Sequence, residues 1–362
     1  MKVAVRTWCT AALVGCCALA VPASRGDDWK AEHDAGWNAY KAGQLDEAER
    51  RLTEAEKQAR VLGDNDPRLA TTLDHLAWVL CSEGESDKAE PLAKSALAIR
   101  EKALGAEHPD VVQSLNTLAC IYDAEGRTAD ARPVYARCLA AAEKVHGPEH
   151  ANVAAALDNL AAVDHLLGNG GDAESSYKRA LAIREKLADG KPIDLAPTLY
   201  NLGALYVDQE KYAEAEPLLK RALEIREKAL GAEHPDVATT LEELGWLSYG
   251  QGKHAEAEQF LKKAVAIYVA DLGEDHPDVA RCTSKLGRVC LSQDHEEEAE
   301  QCCQRAVGIY ERTGGDVVDR AAALEDYAAV LRKTGNDAKA QELEIKARSL
   351  RESVRKSEAP KP

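Results

Sequence analysis

Ten histidines and ten cysteines carry most of the chemistry this 362-residue chain could perform. An imidazole beside a carboxylate can work as a general base, and His/Cys clusters can hold a metal. His108-Pro109-Asp110, His234-Pro235-Asp236 and His276-Pro277-Asp278 each set an imidazole two residues before a carboxylate. The three tripeptides occupy one position of a recurring segment. Catalysis needs unlike groups converging on one pocket, whereas recurrence at a single position points to a helix start. A Gly-rich phosphate loop, an HExxH pair and a nucleophile elbow are missing from the sequence. No enzymatic activity, cofactor or metal is expected.

The cysteines leave three readings open. Cys9, Cys16 and Cys17 fall in an apolar N-terminal stretch, and the others are Cys81, Cys120, Cys138, Cys282, Cys290, Cys302 and Cys303. They can be small fillers of helix interfaces. Cys290 can bridge to Cys302 or Cys303, joining two helices of one repeat. A metal site with His295 is the third reading, although no paired CxxC spacing supports it.

The recurring segment is 42 residues long. Leu69, Val111, Val153, Leu195, Val237 and Val279 mark its period, and the clearest copy starts at Ala215. A period in this range means stacked helical units in place of one globular core. Pro at a first helical position loses nothing, and Asp in the first turn suits the helix dipole. Leu241, Leu244, Gly245 and Ser248 then share one face, and glycines at 84, 126, 168, 252 and 335 suit helix ends. A second helix follows, with Ala215, Leu218, Leu219, Ala222, Leu223 and Ile225 as its apolar stripe. Alanines at 48, 89, 131, 173, 215, 257 and 299 mark where two helices cross closely.

Eight such pairs are expected, at about 28–63, 67–105, 109–147, 151–189, 193–231, 235–273, 277–314 and 319–350. Leu324 lies 83 residues after Leu241 where two periods would give 84, so the last unit is shifted by one. Residues 351–362 read as a disordered tail. Residues 1–23 read as a secretory signal peptide: Lys2 and Arg6, an apolar run from Trp8 to Val21, then small residues. Leu13-Val14-Gly15-Cys16 also matches a lipoprotein signal, which would lipidate Cys16. The chain is expected to be periplasmic or secreted. A net charge of −16 disfavours nucleic acid and anionic membrane as partners.

The Leu-x-x-Leu-Gly/Ala of the first helix, the Gly turn and the Ala-x-x-x-Leu of the second resemble a tetratricopeptide repeat. Ala96-Leu97-Ala98-Ile99-Arg100-Glu101-Lys102-Ala103-Leu104-Gly105 and its copies resemble the 42-residue repeats of kinesin light chains. The resemblance covers about 28–350 and implies an all-α, right-handed solenoid whose first helices line a concave, peptide-binding groove. It does not extend to the heptad segment with which those light chains bind the motor. Asn116 matches by register an asparagine of their peptide groove, and Asn159 and Asn201 match its neighbour.

Stepping by the repeat from residues that flank the core stripe gives the groove candidates. They are Trp37, Tyr40, Asp74, Trp78, Asn116, Asp123, Asp158, Tyr200, Glu242, Trp246, Tyr249, Arg281 and Arg288. Trp37, Trp78 and Trp246 share one lane. A rigid ring beside polar groups makes a good peptide anchor, and the same ring can instead fill a gap between repeats. Asp74, Asp123, Asp158 and Glu242 predict an acidic middle that prefers a basic or neutral segment. Arg281, Arg288 and Arg332 predict a basic C-terminal end. The expected function is a protein-interaction scaffold. The alternatives are a self-associating envelope solenoid and a peptide-sensing regulator.

Overall fold

Sixteen α-helices in eight consecutive antiparallel pairs make up the computed structural model, which describes residues 26–187 and 191–358. The expected signal peptide, Cys16 and residues 359–362 lie outside the described residues. The helices gather into two compact units. The first holds α1 (Gly26–Lys41) with α2 (Leu45–Leu62), α3 (Pro67–Ser82) with α4 (Ser86–Leu104), α5 (Pro109–Ala124) with α6 (Thr128–His146), and α7 (Ala151–Leu166) with α8 (Gly170–Leu187). The second opens on a 3-10 turn, Pro192–Leu195. It continues with α9 (Ala196–Asp208) and α10 (Tyr212–Leu230), α11 (Pro235–Gly250) and α12 (His254–Leu272), α13 (Pro277–Ser292) and α14 (Glu296–Thr313), then α15 (Val317–Lys333) and α16 (Asp337–Glu358). No strand forms among the described residues. The fold is an all-α solenoid, as the period implies.

The recurring histidines are helix caps. Nδ1 of His108, His234 and His276 accepts the backbone N–H of Asp110, Asp236 and Asp278 at 3.2, 3.1 and 3.2 Å. His150, which lacks the following proline, caps α7 through Asn152 in the same way at 3.1 Å. Each ring thus satisfies a first-turn donor that the helix leaves without a partner. In the fifth repeat Lys191-Pro192 replaces the cap, and Pro197 sits in the first turn of α9. Lys191, which precedes Pro192, is held out of α geometry at φ −123° and ψ 68°, and the chain enters α9 through the 3-10 turn. The last pair begins at Val317, capped by Asp316, two residues before the expected start. Its second helix runs on to Glu358, past the expected boundary at 350.

Within each pair the helices touch where side chains are smallest. Ala48, Ala89, Ala131, Ala173, Ala215, Ala257 and Ala299 are fully buried, as their spacing predicts. Opposite them, a Cβ added at Gly245 would lie 2.8 Å from Cγ of Leu261. Glycine is what allows that approach.

Candidate functional site

The first helices form the inner layer of each unit. Neighbouring first helices touch one another, α1 with α3 and α3 with α5, α9 with α11, α11 with α13 and α13 with α15. Neighbouring second helices make no comparable contact among the described residues. A curved stack brings its inner layer closest together, so the inner faces are those of the odd-numbered helices.

In the first unit this face carries a continuous run of stacked rings. Trp29, His33, Trp37 and Tyr40 recur at helical spacing along α1, and His75 and Trp78 answer them from α3. Trp29 stacks on His33 at 5.1 Å between centroids, His33 on His75 at 4.9 Å, His75 on Trp37 at 3.9 Å and Trp37 on Tyr40 at 5.0 Å. Nε1 of Trp78 donates to the Tyr40 hydroxyl at 2.5 Å, and His33 Nε2 lies 2.9 Å from His75 Nδ1. Burial lowers the His33 pKa against an opposing pull from Asp34. Burial, helped by His33, Arg100 and Lys41, holds His75 well below the usual imidazole range. Trp37, Tyr40 and Trp78 remain partly exposed. They pack between repeats on one side and meet solvent on the other, so the anchor and gap-filler readings both describe them.

In the second unit Trp246 stacks on Tyr249 at 5.0 Å. Lys285 Nζ and the Arg288 guanidinium lie over the Trp246 ring at 5.6 and 5.4 Å. Tyr249, Arg288, Leu291, Ser292, Asp326 and Ala329 line a shallow cleft beside it. The structure thus brings the candidates together in two places, Trp37–Tyr40–Trp78 and Trp246–Tyr249–Arg288.

The charged candidates behave differently from expectation. Asp74 is buried at 1% exposure and paired with the equally buried Arg100, while Ser114 Oγ donates to it at 2.8 Å. Asp158 is buried against Arg184 at 2.6 Å. Glu242 is buried between Arg281, Lys285 at 2.8 Å and the Tyr268 hydroxyl at 3.3 Å. Burial opposes ionisation of Glu242, and the two cations overcome it, holding its carboxyl below its ordinary value. The acidic middle is therefore neutralised from within. The basic end is neutralised too: Arg281 is taken by Glu242, Arg288 by Asp326, and Arg332 by Glu344 at 2.8 Å. Asn159 Nδ2 donates to Asn116 Oδ1 at 2.9 Å, so these two asparagines hold each other across adjacent first helices. Tyr200 lies under the Arg226 guanidinium at 5.0 Å, and Asp123 is half-buried.

A lane of second-helix residues, absent from the candidates, explains this. Arg100, Arg184, Arg226 and Tyr268 each reach the residue 26 positions earlier: Asp74, Asp158, Tyr200 and Glu242. Arg100 and Arg226 also reach forward into the next repeat. Arg226 Nη1 donates to the Asp236 carbonyl at 2.9 Å and to Thr240 Oγ1 at 2.7 Å, and Arg100 Nη1 does the same with Asp110 and Ser114 at 2.9 and 2.8 Å. The signal was present in the recurrence of Ile-Arg-Glu-Lys at 99–102, 183–186 and 225–228. A helix wheel assigns that arginine to the solvent edge and so misses it.

Glu243, also absent from the candidates, is 1% exposed. Burial raises its pKa to about 7, opposed by Lys285 and supported by Asp208 and Glu242.

The tetratricopeptide repeat family model matches residues 35–102, 79–144, 124–186, 194–270 and 251–311. The chain belongs to the tetratricopeptide repeat family. No curated protein matches its sequence. Among solved structures, a Podosopora anserina protein assigned as a kinesin light chain, with nearly identical TPR-like repeats, is 25% identical with a TM-score of 0.50, over 57% of this chain and 97% of that one. BtubC from P. vanneervenii is 23% identical with a TM-score of 0.53, over 66% of this chain and 94% of its own. A Rap protein complexed with Competence and Sporulation Factor is 14% identical with a TM-score of 0.58, over 91% and 99%. The last two likenesses show the fold. Tetratricopeptide repeats are typically non-catalytic interaction scaffolds, which agrees with histidines spent on caps.

Proposed function

We propose that this tetratricopeptide repeat protein is a non-catalytic scaffold that holds an extended segment of a partner protein against its inner helices. The observation that carries this reading is the set of half-exposed, pre-stacked rings on that face, Trp37, Tyr40 and Trp78 in one unit and Trp246 and Tyr249 in the other. Rings already fixed by stacking lose little freedom on binding, so the area they bury converts efficiently into affinity. Because the carboxylates and guanidiniums of the inner face are paired with one another, apolar side chains of the partner supply most of the contact. The affinity then depends only weakly on salt, whereas a partner held by surface charge is screened away.

Partner capture by the full chain, compared with capture by Trp37→Ala and Trp246→Ala proteins, tests this. A hot-spot ring is worth about 2 kcal/mol or more, roughly a thirtyfold loss of affinity. A partner bound equally well by both variants, with helicity unchanged, would remove the inner face from the function. The N-terminal residues support export as part of the same proposal, and sequencing the N-terminus of the mature protein from its host decides it.

A further inference from the structure

Three side-chain hydrogen bonds spaced along the inner seam join α1 to α3. Nε1 of Trp29 donates to Thr72 Oγ1 at 2.9 Å, His33 Nε2 and His75 Nδ1 face each other at 2.9 Å, and Nε1 of Trp78 donates to the Tyr40 hydroxyl. The outer two are made by indoles, which do not titrate. The middle one joins two imidazoles, and both belong to the run of stacked rings. His33 stacks on Trp29 and on His75, and His75 stacks on Trp37.

Two imidazole nitrogens that face each other hold one hydrogen between them. Nδ1 of His33 lies 3.3 Å from the Asp34 carboxylate and so carries the hydrogen that donates to it. In the neutral pair His33 Nε2 therefore accepts from His75 Nδ1, because the bond made by one ring nitrogen fixes the role of the other. A first added proton fits. It goes to His33, whose Nε2–H then donates to Nδ1 of a His75 that carries its hydrogen on Nε2. A second proton does not fit. With both rings charged, two N–H groups point at each other across 2.9 Å, a separation that suits a donor and an acceptor only.

The surrounding charges keep the second proton away near neutral pH. Burial lowers the His33 pKa, and Asp34 on the same helix opposes it, so the first charge settles there. His75 is held well below the usual imidazole range by burial, then by His33, Arg100 of α4 and Lys41 of α1. From α2, Arg51 is directed to Glu32 and Glu47. On α3, Asp74 is taken by Arg100, and from α5 Asp110 acts on Asp74. Both imidazoles are thus depressed below 6.5 in the fold. The seam has its full stability above that value and loses it as pH falls through the folded pKa values.

We propose that the His33–His75 contact is an acid-operated latch, which closes the seam between α1 and α3 at neutral pH and opens it when the second imidazole is protonated. Opening withdraws the ring on which Trp37 stacks, while the contact of α2 with α3 keeps the first helix pair in place. Trp37, Tyr40 and Trp78 lose their fixed arrangement, and a segment held against them is released. The release rests on the function proposed above; the latch itself does not.

Acrylamide quenching of tryptophan fluorescence in the full-length Trp246→Phe chain tests the latch without a partner. The first-unit rings are expected to become at least about twofold more quenchable between about pH 7.5 and about pH 4.5, with far-ultraviolet circular dichroism unchanged. Adding His75→Phe keeps a stacking ring that takes no proton and should abolish the rise. That variant retains Asp74, whose carboxyl is raised by burial against the pull of Arg100, so it also controls for acid acting on that pair. Trp8 is common to every variant compared. If His75→Phe fails to fold, His75→Gln, which can still accept from His33, takes its place. No rise, or the same rise in the non-titrating variant, would overturn the latch. Imidazole nitrogen-15 shifts of the unaltered chain give an independent reading: two separate proton uptakes are expected, the second coinciding with the rise in quenching, and simultaneous uptake by both rings would also overturn it. Partner capture at neutral and acid pH then tests the release. Binding that weakens about tenfold in acid for the unaltered chain, and not for His75→Phe, supports it. Acid-insensitive binding that Trp37→Ala still abolishes overturns the release and leaves the scaffold reading standing. Binding indifferent to both Trp37→Ala and Trp246→Ala removes the scaffold reading, and quenching alone then decides the latch.

Discussion

At the scale of single residues, the inner layer is governed by how its buried charges are matched. Asp74 and Arg100 are both almost fully buried, so removing one strands the other. Arg100→Leu is expected to cost about 3–5 kcal/mol in a denaturant titration, and Asp74→Leu in the same chain to restore much of that loss. Equal losses in the single and double variants would show that the arginine acts through packing alone. Glu243 provides the opposite case, a buried acid without a matching cation of its own. Its carboxyl titrates at about 7 in the fold against an ordinary 4.5. The fold thus favours the protonated form. Stability is complete below the unfolded value and is lost as pH rises through 7. Glu243→Gln should therefore raise the melting temperature at pH 8 and change it little at pH 4, with a ceiling of about 3 kcal/mol. A gain equal at both pH values would place the effect elsewhere.

At the scale of helices and turns, most of the architecture was legible in the sequence. Period, caps and small-residue lanes locate all sixteen helices, because each follows from backbone requirements that one residue type meets best. The turn after each first helix shows what happens when that residue is missing. Gly84, Gly126, Gly168 and Gly252 occupy it at φ between 71° and 81°, and Glu210 takes the same place at 58°. A side chain in left-handed geometry costs about 1 kcal/mol, so Glu210→Gly should stabilise the second unit by about that much, read as a shift in its unfolding midpoint. Unchanged or lower stability would mean that Glu210 makes up the strain through a contact of its own. What the sequence concealed was the second helix's reach. Arg226 looks like one more exposed charge beside Glu227 and Lys228, yet it is buried, because its long stem spans to the neighbouring helix start. Patterning by polarity cannot reveal a charge whose partner lies in the next repeat.

For the molecule as a whole, each helix pair touches chiefly its neighbours. Stability in such an array is a sum of local and nearest-neighbour contributions, and unfolding need not be one concerted step. Trp29, Trp37 and Trp78 belong to the first unit and Trp246 to the second. In a Trp246→Phe protein, fluorescence reports the first unit while far-ultraviolet circular dichroism reports every helix. The two unfolding midpoints are expected to differ, and coincident curves would establish a single cooperative block. The candidate site was partly legible at this scale: the tryptophan lane led to both ring clusters, while the charge lanes misled because pairing is a property of the stack.

The forward reach of Arg100 and Arg226 has a consequence for how such a chain can lengthen or shorten. Each arginine anchors to positions 10 and 14 residues ahead, in a helix that belongs to the following copy. A gene rearrangement that adds or removes one whole period leaves every such clasp with a suitable acceptor, whereas one that changes the spacing between clasp and acceptor leaves a guanidinium stranded. The copies are therefore interchangeable as modules whose natural joint lies inside a helix pair.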